Sequence, residues 1–321
     1  MTATKVPASE TPQKEEASGS VARKPNFFIV GAPKCGTTAI YTYLAQHDQV
    51  FFPQNAKEPH HYNTDMPNFR WFPNREEYLK LFSGSNAASA KVVGEASVQY
   101  LYSTEAAANI ARDLPDARIL ICLRNPAAFI RSYHNQMLIN LDEDIENLKA
   151  AWDMSDQHRT VAREPRMLNY KAAGRFSEQI ARYRSVFPDN QIRILTLEEF
   201  TKFPREHYLA LLEWLEIEDD GRTSFEPVHK AARPRSRRVS AFLKSPPDWV
   251  KRFVNSLKRT FGIKSLGVAR LAKKANKASG YKTSHFAPEV AEEINSYFSQ
   301  DQQSLEAFNG LRLWNREEMS T

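Results

Sequence analysis

An unbroken apolar run from Ile119 to Leu123 limits the possible folds of this chain more than any other feature. A strand without polar positions must be covered on both faces, as in a parallel sheet with helices on either side. Other short stretches have the composition of buried strands, and with the run they lie at residues 26–30, 91–93, 118–123 and 191–197. Helical periods lie between and after them, at residues 37–46, 104–113, 126–140, 176–187, 205–215 and 288–309. This alternation predicts an α/β, doubly wound domain with a central parallel sheet flanked by helices.

The chain begins with a segment unlike the rest. Residues 1–23 are rich in Lys, Glu, Ser, Thr, Ala and Pro without an apolar period, which predicts a disordered tail before one domain at residues 24–315. No apolar run reaches the roughly 18 residues that a membrane span needs, and the tail lacks the apolar core of a signal peptide. Two cysteines, Cys35 and Cys122, do not form a disulfide framework. We therefore expect a cytoplasmic protein.

The segment after the first predicted strand, residues 31–38, reads GAPKCGTT. Its glycine spacing is that of a nucleotide P-loop, but Thr37 occupies the position of the P-loop lysine and Lys34 lies three residues earlier. Glycines let the backbone approach an anion, and the N–H groups and dipole of a helix start favour negative charge. This P-loop-like element is either an anion site or an ordinary strand-turn-helix with a glycine for tight packing. Its candidate ligands are Lys34, Cys35, Gly36, Thr37 and Thr38.

A second candidate anion site follows the third predicted strand. Arg124 comes directly after this strand, and the helix that begins at Asn125-Pro126 carries Ser132 about two turns later. A guanidinium can bind a phosphate through two parallel hydrogen bonds. The alternatives are a structural salt bridge for Arg124 and a solvent-facing position for Ser132. In doubly wound sheets ligands bind beyond the carboxyl ends of the strands, so we expect both sites to open onto one cleft and hold a ligand with two separated phosphate groups.

With these two elements in this order, the chain resembles the sulfotransferases that use 3′-phosphoadenosine 5′-phosphosulfate (PAPS), especially the heparan sulfate sulfotransferase-like branch. Residues 33–38 are similar to the family's 5′-phosphosulfate loop, and Arg124-Asn125-Pro126 with Ser132 is similar to its 3′-phosphate element. Weaker similarity continues at residues 57–62 (KEPHHY), at 94–97 (GEAS), in the loop Gly280-Tyr281-Lys282 and at Trp314. The resemblance implies a PAPS-dependent sulfotransferase in which Gly280, Tyr281 and Lys282 close over the 3′-phosphate of the donor.

The resemblance also implies a mechanism. The sulfuryl group would pass in line to a hydroxyl or amine of a carbohydrate-like or lipid-linked acceptor, while Lys34 offsets charge on the departing bisphosphate. The family glutamate that removes the acceptor proton matches Glu58, and we expect burial to raise the pKa of this carboxyl toward neutrality. His60 and His61 are competing bases, because imidazole titrates near neutral pH. For Glu58 the structural alternative is a loop carboxylate paired with Lys57.

Two neighbouring features have plainer interpretations. Glu95, at the end of a predicted strand, either orients Lys34 or Arg124 or caps the following helix. The adjacent pair His60-His61 could indicate a metal site, but no Cys, His or carboxylate set accompanies it at ligand spacing. We therefore expect no metal.

Positive charge is concentrated in one segment of the chain. Residues 230–282 contain sixteen Lys or Arg and one acidic residue, Asp248, whereas the rest of the chain is net acidic. Apolar residues recur at helical spacing between 248 and 261, which predicts a basic amphipathic helix. This helix either packs on the core with a solvated face, makes peripheral contact with the inner face of a membrane, or guides an anionic acceptor or the donor. Nucleic acid is not expected as a partner, because no helix-turn-helix or aromatic RNA-binding motif accompanies the charge.

Two other functions are compatible with these patterns. One is a P-loop kinase of nucleosides or small molecules, which is weakened by Thr37 at the lysine position and by the lack of a clear strand ending in Asp. The other is a non-catalytic protein of the same fold that binds anionic surfaces through residues 230–282. Stabilisation by ATP–Mg alone, and not by adenosine 3′,5′-bisphosphate, would favour the kinase.

Overall fold

The computed structural model describes residues 23–54, 56–159, 161–226, 233–234, 277–278, 287–309 and 313. Most of the predicted tail and most of the basic segment at 230–282 lie outside these ranges, as do Gly280, Tyr281, Lys282 and Trp314. Arg23, which the sequence pattern assigned to the tail, donates its backbone N–H to the carbonyl of Phe82 at 3.1 Å. Residue 23 is therefore part of the folded domain and not of the tail.

Five parallel strands form the central sheet. They are β1 (Phe27–Gly31), β2 (Val50–Phe51), β3 (Val92–Glu95), β4 (Arg118–Leu123) and β5 (Ile192–Thr196). Their order across the sheet is β2-β3-β1-β4-β5, and every adjacent pair is parallel. A separate pair of two-residue strands, β6 (Arg233–Pro234) and β7 (Lys277–Ala278), is antiparallel.

Helices surround the sheet. In the described ranges they are α1 (Thr37–Leu44), α2 (Arg75–Lys80), α3 (Ser85–Ser89), α4 (Ala106–Asp113), α5 (Pro126–Asn140), α6 (Leu148–Asp153), α7 (Tyr170–Ala173), α8 (Phe176–Arg184), α9 (Leu197–Lys202), α10 (Pro204–Trp214), α11 (Pro288–Tyr297) and α12 (Ser299–Asn309). Short 3₁₀ turns occur at Pro67–Phe69, Pro165–Leu168 and Asp189–Gln191. Within this part of the chain, no helix has the length and apolar character needed to cross a bilayer.

The two central strands show why the apolar run is informative. All five residues of β1 are buried, and β4 is buried from Ile119 to Leu123. β1 pairs with β3 and β4, and β4 also pairs with β5, so neither strand has a free edge. Their side chains belong to one continuous apolar core that also includes residues of the covering helices. This arrangement confirms the predicted α/β fold with a parallel central sheet.

Most predicted elements agree with the structure. The four predicted strands lie within two residues of β1, β3, β4 and β5. The helix predicted at 126–140 coincides with α5, because local chemistry fixes its start: the side chain of Asn125 accepts the N–H of Ala128 at 3.0 Å, and Pro126 occupies the first turn. The two-residue strand β2 was not predicted, since so short a segment carries no periodicity.

The single helix predicted for residues 288–309 is wrong. Two helices, α11 and α12, occupy this segment, and the helix is interrupted at Phe298. The buried ring of Phe298 lies against Gly174, where an added Cβ would be 2.4 Å from the Phe298 Cζ. At the break Phe298 has a non-helical backbone (φ −89°, ψ 9°), and its ring is buried beside Gly174.

The functional cleft follows from the strand order. After β1 the chain continues to β2 and β3 on one side, and then crosses to β4 on the other side of β1. The chain leaves β1 toward β2 and β3 but leaves β4 toward β5 on the opposite side, and such a reversal predicts a ligand crevice at the carboxyl ends of these strands. Gly31 permits the turn out of the sheet: its φ is +140°, and an added Cβ would lie 2.4 Å from the carbonyl oxygen of Val98.

Candidate active site

The anion loop (residues 31–38) presents a row of backbone donors at the start of α1. In the described part of the chain, the N–H groups of residues 34 to 38 donate to no protein acceptor. Cys35 is buried, so it offers an anion its N–H group and not its thiol. Gly36 has a φ of +83°, and an added Cβ would lie 2.8 Å from Cδ1 of Leu197. Free donors at the positive end of a helix suit a bound anion, so the anion site stays a prediction with this geometry in its support.

Lys34 extends from the anion loop to helix α5, where its Nζ donates to Oε1 of Gln136 at 3.2 Å. Although Lys34 reaches solvent, its pKa is lowered, first by partial desolvation and then by the guanidinium of Arg124 and the ammonium group of Lys57. The positive charges of Arg124 and Lys57 therefore disfavour the charged form of Lys34. A bound anion would relieve this repulsion.

Arg124 stands at the carboxyl end of β4, beside the anion loop. Its Nε is 3.8 Å from Oε1 of Glu198, which also accepts the N–H of Asn125 at 3.2 Å. This Nε is buried and makes no hydrogen bond within the described ranges. The salt bridge that was the structural alternative is therefore present, but it is long and leaves the guanidinium donors available.

Ser132 lies on the face of α5 that points toward Lys34. It is partly exposed and one turn before Gln136, the residue that contacts the Lys34 ammonium group. Arg131, its neighbour, has a pKa lowered by desolvation and by the charge of Arg124. The loop and helix α5, which carry the two predicted anion elements, are therefore in contact through Lys34 and Gln136, and a shared cleft stays a prediction.

Glu58 adjoins the anion loop through Lys57. The Lys57 Nζ donates to Oγ1 of Thr38 at 2.9 Å and lies 3.5 Å from Oε1 of Glu58. The other carboxylate oxygen, Oε2, is 3.3 Å from Nε2 of His60. The Glu58 side chain keeps 33% of its surface exposed, so the carboxylate lies at an open edge of the cleft.

The predicted rise in the pKa of Glu58 is wrong. Desolvation is the largest single influence and does raise this pKa, but the hydrogen bond with His60 and the charge of Lys57 together outweigh it. The pKa of Glu58 therefore lies below its ordinary value, and the group is ionised at neutral pH. Such a carboxylate can accept a proton but is a weaker base than the sequence suggested.

The two histidines have different surroundings. His60 is fully buried, and its backbone N–H donates to Oγ of Ser97 at 2.9 Å. His61 stacks on Tyr78 with ring centroids 4.2 Å apart, and its Nδ1 is 2.6 Å from the carbonyl of Phe72. Burial lowers the pKa of His61, so its imidazole is neutral at pH 7. Among the residues that the structure describes, no group of three or more His, Cys, Asp or Glu could hold a metal.

Glu95 is linked to the 57–62 loop through the hydroxyl of Tyr100. It is fully buried, and its Oε2 accepts hydrogen bonds from the hydroxyls of Tyr78 at 2.7 Å and Tyr100 at 3.1 Å. The Tyr100 oxygen in turn accepts the N–H groups of His61 at 2.8 Å and Tyr62 at 3.2 Å. The expectation that Glu95 orients Lys34 or Arg124, or caps the next helix, is wrong, because its side chain enters the core among these tyrosines.

Glu95 should make stability depend on pH. Desolvation raises its pKa to about 7 from an ordinary 4.5, so between these values the folded state binds a proton that the unfolded state has lost. Stability should therefore fall as pH rises from 4.5 to 7, by roughly 3 kcal/mol. Urea unfolding of the wild type and of Glu95→Gln at several pH values measures this, because the difference between the two proteins should follow the titration. A difference that stays constant would contradict it, and Glu76→Gln on the exposed face of α2 is the control.

A family model described as sulfotransferase domain matches residues 24–308. The chain belongs to this family. Membership confirms the predicted family, the predicted transferase class and sulfuryl transfer as the reaction type. The sulfotransferase domain accounts for nearly all residues that the structure describes, including the anion loop, Arg124 and the 57–62 loop.

Relatives of the sulfotransferase domain are distant. Bifunctional heparan sulfate N-deacetylase/N-sulfotransferase 2 of Homo sapiens is 26% identical over 200 residues, which are 61% of this chain and 22% of the relative. Carbohydrate sulfotransferase 15 of Homo sapiens is 24% identical over 273 residues, 67% of this chain and 48% of the relative. The chain therefore spans less than half the length of either protein. A crystal structure of a sulfotransferase from Alicyclobacillus acidocaldarius has a TM-score of 0.64 and 24% identity, covers 93% of this chain and 100% of its own, and shows the same fold.

Sequence reasoning did not assign three residues that contact the candidate site. Lys57 joins Thr38 to Glu58, Gln136 accepts from Lys34, and Glu198 pairs with Arg124. Lys57 could have been found, because a cation beside a proposed base in the KEPHHY segment is itself a candidate. Gln136 lies one turn after Ser132 on α5, so helical spacing also pointed to it. Glu198 lies in the first turn of α9, a helix that was not predicted, although Thr196 followed three residues later by Glu199 is a local signal of a helix start.

Proposed function

We propose that this sulfotransferase uses PAPS as donor and transfers the sulfuryl group to a hydroxyl or amine of a carbohydrate-like or lipid-linked acceptor. One observation carries the choice of donor: Lys34 belongs to the anion loop and Lys57 contacts Thr38 of that loop, whose N–H groups donate to no protein acceptor in the described ranges, and the charge of Arg124 acts on Lys34. PAPS has two separated phosphate-type groups, and the chain offers two adjacent cation sites for them. The unused donors of Arg124 and the glycine-lined loop fit such a ligand.

Each site has an assigned part of the donor in this proposal. The anion loop would hold the 5′-phosphosulfate through its N–H groups and Lys34, and Thr38 and Lys57 border the same space. Arg124 and Ser132 would hold the 3′-phosphate. The loop at Gly280, Tyr281 and Lys282 stays a prediction for the same phosphate. Lys34 would then offset the charge that develops on the bridging oxygen as the bisphosphate leaves.

Glu58 is the proposed general base. It is ionised at neutral pH, lies one residue from Lys57 at the anion loop, and is open to solvent on one edge. An acceptor that enters from this edge could give its proton to Oε1 or Oε2 while attacking the sulfuryl group. His60 would hold the carboxylate through its Nε2 and is the alternative base. The proposal includes no metal.

The setting of the reaction is also part of the proposal. Cys35 and Cys122 are free and buried in neighbouring elements, which supports a reducing, cytoplasmic environment. Contact of residues 248–261 with a membrane surface stays a prediction, and one relative, the membrane-associated sulfotransferase kil1 of Dictyostelium discoideum, is 29% identical over 113 residues, 34% of this chain and 22% of that protein.

Two experiments test the function. Adenosine 3′,5′-bisphosphate should raise the melting temperature by several degrees at saturation, and Arg124→Ala should lose most of this rise. Incubation with radiolabelled PAPS and fractionated cell extract should then label one acceptor fraction. Stabilisation by ATP–Mg alone would indicate a kinase instead. Tight bisphosphate binding without any labelled fraction would indicate a non-catalytic binding protein.

A further inference from the structure

An exposed aromatic side chain stands on a rigid support beside the candidate active site. Trp71 is 49% exposed, yet both residues next to it are tied to the 57–62 loop. Arg70 donates its Nε–H to the carbonyl of His61 at 2.8 Å, and Phe72 donates its N–H to the carbonyl of Pro59 at 3.1 Å. A large apolar ring that is fixed in position and open to water is a feature of ligand-binding surfaces.

A cation accompanies this ring. The guanidinium carbon of Arg163 lies 5.1 Å from the centroid of the Trp71 ring. The segment that carries Arg163 is anchored, because its N–H donates to Oδ1 of Asp142 at 3.3 Å and Arg159 makes two hydrogen bonds of 2.5 and 2.7 Å with buried Glu143. Within the described ranges, no carboxylate lies at ion-pairing distance from Arg163. The guanidinium is therefore available to an anion.

Ring contacts connect Trp71 to the proposed base. The centroids of Trp71 and Phe69 are 5.6 Å apart, and those of Phe69 and His60 are 5.0 Å apart. His60 in turn contacts Glu58 at 3.3 Å. Trp71 is thus two ring-to-ring steps from the histidine that holds the proposed base.

A second path leads from Arg163 to the anion loop. Asp142, which accepts its N–H, lies two residues after Asn140, and the Asn140 side chain accepts from Gln136 at 2.9 Å. Gln136 accepts from Lys34 at 3.2 Å. One set of contacts thus runs from Trp71 to Glu58, and the other links the chain near Arg163 to Lys34 of the anion loop. Trp71 and Arg163, which contact each other, are therefore connected both to the proposed base and to the donor loop.

We propose that Trp71 and Arg163 form an acceptor subsite that binds a sugar ring carrying an anionic group, next to the hydroxyl or amine that receives the sulfuryl group. The indole offers an apolar face to the ring, and the guanidinium offers two parallel donors to a carboxylate or sulfate. The inference rests on the proposed function, because it assigns the side from which the acceptor enters.

The test uses the full chain saturated with adenosine 3′,5′-bisphosphate and two matched probes, methyl β-D-glucuronide and methyl β-D-glucoside. Ligand-observed NMR titration measures their affinities. Wild type should bind the glucuronide about five-fold more tightly than the glucoside, and Arg163→Gln should remove this preference alone, while Trp71→Ala should weaken both probes by about five-fold or more. Phe203→Ala is the matched control, because Phe203 is also an exposed aromatic residue beside a cation, Lys202.

The outcomes separate the subsite from the proposed function. If the wild type does not prefer the glucuronide, or if both variants bind both probes as the wild type does, the subsite is refuted. The rise in melting temperature with adenosine 3′,5′-bisphosphate reports on the donor site independently of the sugar probes. If the wild type shows no such rise, the proposed function is refuted instead. Arg163→Gln changes an exposed side chain and keeps the test valid if Trp71→Ala fails to fold.

Discussion

Replacement of Lys34 by alanine should lower the rate of sulfuryl transfer by about 10²- to 10³-fold, the usual loss when one group that stabilises transition-state charge is removed. The structure gives the reason, since Lys34 is the cation of the anion loop itself and its pKa is lowered by the adjacent charges of Arg124 and Lys57. The measurement is the initial rate of label transfer from PAPS to the acceptor fraction. Stability should change little, because the one hydrogen bond that the structure gives the Lys34 ammonium group is to Gln136.

Two controls make the Lys34 result specific. Lys80→Ala removes an exposed lysine from the last turn of α2 and should leave the rate unchanged. Lys34→Arg keeps the charge and should recover part of the lost rate. Retention of more than about a tenth of the wild-type rate by Lys34→Ala would contradict the role assigned to this side chain.

Glu58→Gln should reduce transfer by about 10²- to 10⁴-fold, because glutamine keeps the shape of the side chain but cannot accept the acceptor proton. Bisphosphate binding should persist, since Glu58 lies beyond Lys57 and not in the anion loop. Glu206→Gln, at an exposed carboxylate of α10, is the matched control. Unchanged transfer by Glu58→Gln would remove Glu58 from the mechanism.

The pH dependence of kcat/KM is a second test of Glu58 as the general base. Because the pKa of Glu58 is lowered by His60 and Lys57 against the effect of burial, the carboxylate stays ionised into mildly acidic solution. The acid limb of kcat/KM should therefore lie below the ordinary range of a glutamate. An acid limb near neutral pH would contradict the role of Glu58 as the base.

The sequence predicted the strand ends and helix starts that carry the two candidate anion elements, because their signals are local. Glycine spacing, a helix start and a strand-end arginine are each visible within a few residues, and parallel strands bring their carboxyl ends to one edge. The start of α5 was predictable for the same reason, since Asn125 and Pro126 act within the first turn.

The environment of the 57–62 loop was not predictable in this way. The pKa of Glu58 depends on the buried imidazole of His60. The backbone of His60 has a φ of +51°, a conformation that no local sequence pattern predicts. Glu95 contacts Tyr78, 17 residues before it, and Tyr100, five residues after it, and no strand or helix period relates these positions. Tertiary packing determines which side chains contact Glu58 and Glu95. The pKa of Glu58 and the contacts of Glu95 therefore could not be predicted from residue type and spacing.

The pairing of Arg124 with Glu198 has a consequence for nucleotide exchange. If Arg124 holds the 3′-phosphate as proposed, Glu198 is a resident counter-ion with which the phosphate would share the guanidinium. Binding of the nucleotide would then gain less net attraction than an unpaired arginine would give, and the product would leave more easily. Turnover would benefit, because a bisphosphate that bound too firmly would block the next cycle.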